Sequence, residues 1–152
     1  MKKINRKKGP VIAKKVIYDG ITFASGLEKY MYQCLKTADI EFKYEGYTYE
    51  LLPAFTFTND CYERQSNGKG DLINRGNKKV LNLKYTPDFV GLDFIIETKG
   101  RANDSFPLRW KLFKKWMHDR GDSRSLYKPQ CQRECDETIR LILEKRKHID
   151  NQ

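Results

Sequence analysis

Long hydrophobic runs are absent: nothing approaches the ~18 uninterrupted apolar residues of a membrane span, so no membrane partner is expected. The basic N-terminus is not followed by the apolar stretch of a signal peptide, which argues against secretion and for a cytoplasmic place. Cysteine is sparse. Cys34, Cys61, Cys131 and Cys135 form no C-x-x-C pair and match no common zinc spacing, so they read as ordinary thiols. Histidine is scarcer still, and neither His118 nor His148 sits near a recognisable nucleophile, which removes a Ser–His hydrolase from consideration. No G-x-x-x-x-G-K-[ST] run is present, so no P-loop ATPase is implied. No internal repeat is visible.

What is there is charge and aromatic surface. The 152 residues include 8 Phe, 9 Tyr and 2 Trp, enough to build one compact core. The net charge is +10 and unevenly placed. Residues 1–15 carry +7 and residues 101–128 carry +5, whereas 16–100 come to −2 and 129–152 to zero. Two basic blocks around a slightly acidic middle point to a polyanion held across a site that itself contains carboxylates.

Residues 1–15 read as a flexible basic arm, broken at Gly9-Pro10. Asp19-Gly20 between two short apolar triplets predicts a small hairpin. Leu27, Tyr30, Met31, Cys34 and Leu35 recur at the helical period over 25–37. Residues 40–57 read as one or two strands, and polar 59–79 as an insertion or loop with a possible short hairpin. Strands follow over 80–90 and 92–98, reversing at Gly91 to pair antiparallel. A basic amphipathic helix is predicted over 106–117, with Leu108, Leu112, Phe113 and Trp116 on its apolar side; then come a strand near 125–129 and a last helix over 133–147. The expected fold class is α/β, a mixed sheet flanked by helices, with 16–152 as one domain.

The sharpest signal is Tyr85-Thr86-Pro87-Asp88-Phe89 followed by Glu97-Thr98-Lys99-Gly100. On an extended strand Glu97 and Lys99 are i and i+2 and share a face, and the reversal at Gly91 brings Asp88 near Glu97. Two carboxylates and an ammonium at one sheet edge suit Mg²⁺ and phosphodiester chemistry. Lys99 then orients or deprotonates the attacking water, or neutralises charge in the transition state. Glu28 opens the first helix at the border of its buried face and has two readings. Ser25-x-x-Glu28 is a capping box, and an unpaired carboxylate at such a border is also a candidate for the site.

The Pro87-Asp88 and Glu97-x-Lys99 pattern resembles the PD-(D/E)xK nuclease superfamily. Ser25-Gly26-Leu27-Glu28, the Tyr-Thr-Pro-Asp-Phe strand and Glu-Thr-Lys-Gly are similar to phage endonuclease I, a Holliday-junction resolvase, and to small phage proteins with a D-G-x-x-F-x-S-x-L-E block. The resemblance covers about 19–35 and 84–100, and it implies a restriction-endonuclease-like core and a site assembled from Glu28, Asp88, Glu97 and Lys99. It further implies Mg²⁺, with Mn²⁺ as substitute, held by Asp88, Glu97, the Thr98 carbonyl and Glu28. It implies a homodimer acting on DNA, branched DNA in particular, inside a host cell if the chain is phage-encoded. The interval from Glu28 to Asp88 is longer than that family's, with the extra length in 59–79, and no bridging strand can be matched.

Lys111, Lys114 and Lys115 gather on one side of the 106–117 helix as a phosphate-contacting face. Arg109 falls among the apolar residues, where it either reaches a phosphate or snorkels past Trp110. A non-catalytic nucleic-acid-binding protein on the same fold stands as the alternative function, as does a sequence-specific or single-strand nuclease of the same superfamily.

Overall fold

The computed structural model describes residues 13–101 and 103–151, so most of the expected basic arm lies outside the described residues. In chain order the elements are β1 (Val16–Tyr18), β2 (Ile21–Phe23), α1 (Gly26–Thr37), β3 (Lys43–Tyr44), β4 (Tyr49–Leu52) and β5 (Phe55–Phe57). Then come β6 (Tyr62–Glu63), β7 (Ile73–Asn74), β8 (Lys78–Val80), β9 (Leu83–Tyr85), β10 (Phe89–Val90) and β11 (Phe94–Ile96). The chain ends with α2 (Phe106–Asp119), β12 (Ser125–Tyr127) and α3 (Gln132–Asp150). The protein is mixed α/β. Among the described residues no helix is long and apolar enough to cross a membrane.

The described residues divide into two compact units, one of 13–46, 87–101 and 124–151, the other of 47–86 and 103–123. In the first, four strands pair in the order β12-β11-β10-β3, with β11 and β12 parallel and the other pairs antiparallel. Phe89, Phe94 and Ile96 bury one face of this sheet against Met31 and Leu35 of α1 and Cys135 and Ile142 of α3. Each such side chain, fully buried, contributes about 1.5–3 kcal/mol. The opposite face carries Val90 and Ile95, which are buried as well. Asp93, just before β11, takes a two-pronged ion pair from Arg146 of α3, at 2.7 and 3.0 Å. That pair holds the Asp93 carboxyl below the usual carboxylate range.

Two local expectations hold for the reasons given. Asp19 and Gly20 both take positive φ, 53° and 71°, as a two-residue hairpin turn between β1 and β2 requires. At Gly91 the chain reverses with its N–H on the Phe94 carbonyl (2.9 Å), and a Cβ there would meet the Phe94 ring at 2.2 Å. The first reversing residue therefore has to lack a side chain.

The second unit is a two-stranded ribbon on a helix. β4 pairs with β9, β5 with β8 and β6 with β7, all antiparallel, so the polar 59–79 segment is the far end of one long hairpin. The ribbon's base packs on α2: Tyr49 and Tyr85 lie against Phe113, with ring centroids 5.2 and 4.7 Å away.

Three expectations are corrected. The strand over 80–90 is broken at Thr86-Pro87-Asp88, because Pro87 has no N–H to continue a ladder; β9 joins the ribbon and β10 the four-stranded sheet. Residues 40–57 form three strands, interrupted at Glu45, where φ is 46°, and at the Pro53 step. The buried face of α2 is Phe106, Trp110, Phe113 and Met117, while Leu108 is 63% exposed. The large aromatic rings offer more area to bury than a leucine does and take the inner positions.

Candidate active site

Asp88, Glu97, Thr98 and Lys99 come together where the β10–β11 hairpin ends. Phe89 pairs with Ile96, so the next step of the antiparallel ladder sets Asp88 beside Glu97. Pairing also runs past the formal end of β11. The Glu97 N–H donates to Tyr127 O and the Lys99 N–H to Pro129 O, both at 3.0 Å, in register with the β11–β12 pair. Glu97 and Lys99 therefore share a face, and Lys99 Nζ reaches Glu97 Oε1 at 3.2 Å. Glu97 is 5% exposed. Thr98, between them, donates both its N–H (2.7 Å) and its hydroxyl (2.6 Å) to Asp88 Oδ2.

This is a hostile setting for a carboxylate. Burial, then the negative charge of Glu97, push the Asp88 carboxyl up to about 8; the Thr98 hydroxyl bond pulls it partly back, and the charge of Glu28 adds to the rise. Like charges set opposite each other in low dielectric want a cation between them. Hard divalent ions take carboxylate oxygens, often only one or two, and complete their shell with water and phosphate oxygens. The donors thus suit Mg²⁺, although among the described residues no three His, Cys, Asp or Glu side chains already form a cage for a metal.

Of the two readings of Glu28, the cap is visible directly. Ser25 caps α1 by accepting the Glu28 N–H at 3.2 Å, and its hydroxyl donates to Glu28 Oε1 at 3.3 Å. Oε2 accepts the Ala24 N–H (3.1 Å) and the Tyr44 hydroxyl (2.8 Å). The carboxylate is 8% exposed, and its charge is felt at Asp88. Tyr44 is a member of this cluster that the sequence does not reveal. Burial first, and then its bond to Glu28, raise its phenol above the ordinary value. Nothing separates it in sequence from the other aromatics of 40–57.

The candidate phosphate contacts lie in the second unit. Lys111, Lys114 and Lys115 are exposed on α2, with Lys115 paired to Asp119 and Lys114 over the Trp110 ring at 5.9 Å. Arg109 is half-buried, and its Nε has no hydrogen-bond partner among the described residues, so it belongs to neither expectation cleanly. It is packed, and it has a donor to spare.

No curated protein and no solved structure shows significant similarity to the chain. One family does match, over residues 8–128, a span that takes in Glu28, Asp88, Glu97 and Lys99 as well as the ribbon and α2. The chain belongs to that family, DUF1064, whose description is "protein of unknown function".

Proposed function

We propose that the protein is a Mg²⁺-dependent endodeoxyribonuclease with a restriction-endonuclease-like core, selective for branched DNA. The observation that carries the reading is half-buried Asp88 set beside buried Glu97, with Lys99 on Glu97, at the end of a β-hairpin in a strongly basic chain. The mixed sheet with α1 and α3 on one face agrees with such a core.

Asp88 and Glu97 would hold the metal, which when bound would polarise the scissile phosphate and acidify a water. Thr98 fixes the Asp88 carboxylate from one side, so that its orientation is set before substrate arrives. Lys99 is paired with Glu97; at the phosphate it would orient the attacking water or neutralise charge on the pentacovalent oxygens. Glu28 adds negative charge beside Asp88 and anchors the helix end against Tyr44. The basic blocks supply binding energy that is independent of sequence.

The deciding experiment incubates the protein with Mg²⁺, Mn²⁺ or EDTA and four substrates: a four-way junction, linear duplex, single-stranded DNA and RNA. Metal-dependent cutting of the junction ahead of the duplex is expected. Tight DNA binding with no cleavage under any metal would favour the non-catalytic alternative.

A further inference from the structure

The net charge of 16–100 conceals a local excess. Between residues 64 and 84 there are six bases, Arg64, Lys69, Arg75, Lys78, Lys79 and Lys84, against the single acid Asp71. All six lie on the far and returning half of the ribbon, and every residue from 52 to 81 except Cys61, Arg75 and Gly76 is exposed. We propose that this β4–β9 ribbon is a second DNA-contacting element, which enters the major groove of a duplex and grips both walls through Arg64, Lys69, Lys78 and Lys79.

Three observations converge on it. Beyond the base that packs on α2, Phe55, Phe57, Tyr62 and Ile73 stay exposed on the ribbon, so its outer part presents an open surface to a partner. Neighbouring positions on a strand face opposite ways, so Lys78, opposite Phe57, and Lys79, opposite Thr56, present charge on both faces. Among the described residues neither they nor Arg64 and Lys69 are held in an ion pair, whereas Arg75 is spent on the ribbon itself, its Nε on the Glu63 carbonyl at 3.1 Å.

The ribbon is also built to keep its shape. Asn74 Oδ1 accepts the N–H groups of Cys61 (3.1 Å) and Gly76 (2.9 Å), and its amide donates to Asp60 (2.7 Å). The strands approach so closely that a Cβ on Gly76 would fall 2.0 Å from Asn59 O. At the tip, Gly68 N–H closes a tight turn on Gln65 O at 2.8 Å. From Phe55 to Glu63, through β5, a bend at Asn59 and β6, the chain can span at most about 26 Å, somewhat less than one turn of B-DNA. A major groove about 12 Å wide admits a two-stranded ribbon, whereas that of A-form RNA is too narrow. Charge decides the occupant. A second copy docking through the same patch would set basic ribbon against basic ribbon.

The inference rests on DNA being the substrate, but not on catalysis, so it is tested by binding in EDTA. Anisotropy titrations of the full chain with a 30-base-pair duplex across 50–200 mM salt compare wild type with Arg64→Gln/Lys69→Gln/Lys78→Gln/Lys79→Gln. The expected result is a salt slope shallower by about 3 to 4, each released phosphate contact contributing about 0.9, and a wild-type preference for DNA over an RNA duplex of the same sequence that the variant lacks. Should the quadruple variant melt early, the pairs Arg64→Gln/Lys69→Gln and Lys78→Gln/Lys79→Gln should each remove about half of that slope. An unchanged slope overturns the proposal, as does a variant that only halves the sedimenting mass, which would make the ribbon a self-association surface. A protein that binds in this way but never cleaves sinks the nuclease reading alone.

Discussion

Thr98 gives both of its donors to a single oxygen of Asp88, at 2.6 and 2.7 Å, and so holds Oδ2 while no hydrogen bond among the described residues falls on Oδ1. A carboxylate held this way is oriented and still has a lone-pair face to offer a cation. The hydroxyl bond also favours the ionised form, which burial and Glu97 oppose. Thr98→Val keeps the shape and removes that donor. The expected outcome is a loss of roughly 1 kcal/mol in stability, together with weaker Mg²⁺ binding by calorimetry, recoverable at higher pH. Thr98→Ser should restore both. Unaltered metal affinity in the valine variant would make Thr98 a structural residue only.

The Asp88 carboxyl gives the clearest pH signature. Its folded value, about 8, lies above the unfolded value of about 3.9. Between those limits the folded chain keeps a proton that the unfolded chain has lost, so stability falls as pH rises through the window. Asp88→Asn mimics the protonated form. It should melt like wild type near pH 4 and progressively higher than wild type toward pH 8, in EDTA. Mg²⁺ should raise the wild-type melting temperature most at the alkaline end and leave the Asn variant unmoved. A difference between the two proteins that stays flat with pH would count against the coupling of Asp88 to Glu97.

How far this site was legible in the sequence follows from range. Glu97 and Lys99 are two residues apart, and Asp88 is one hairpin away, so strand alternation and a glycine reversal suffice to bring them together. Ser25 and Glu28 are three apart and announce a cap. Tyr44 reaches Glu28 only because β3 joins the sheet beside β10, a pairing that no local pattern encodes. The same limit hid the ribbon: 59–79 is polar and turn-rich, and its partner strands look like parts of other elements until Pro87 separates β9 from β10. For Thr98, the sequence reading concerns its carbonyl as a metal ligand; the bonds from its N–H and hydroxyl to Asp88 have no signal in the sequence.

Away from the site, the Asp93–Arg146 pair ties the start of β11 to α3. Arg146 lowers the Asp93 carboxyl below its unfolded value, so the pair's contribution is full above about pH 4 and fades as pH falls through the lower folded value. Both side chains are partly exposed, which limits the pair to roughly 1 kcal/mol. Arg146→Met should therefore lower the melting temperature at pH 7 by a few degrees and by nothing near pH 2. Equal destabilisation at both pH values would assign the effect to lost packing over Phe94, which the Arg146 guanidinium overlies at 5.9 Å.

Glu28 separates capping from chemistry. Its carboxylate accepts three hydrogen bonds, from Ala24, Ser25 and Tyr44, and all three can survive in Glu28→Gln. The glutamine oxygen takes the Oε2 position, and its amide meets the Ser25 hydroxyl, which accepts as readily as it donates. Stability should fall by no more than about 1 kcal/mol. What the substitution removes is the negative charge beside Asp88. If that charge serves the metal site, cleavage should drop by roughly a hundredfold or more, the scale typical of groups that act on the reacting atoms. Tyr44→Phe is the control, since it deletes one hydrogen bond to Oε2 and leaves the charge; its melting temperature should fall further than its rate. A Glu28→Gln protein that melts and cuts like wild type would leave Glu28 as a helix cap and assign the chemistry to Asp88, Glu97 and Lys99.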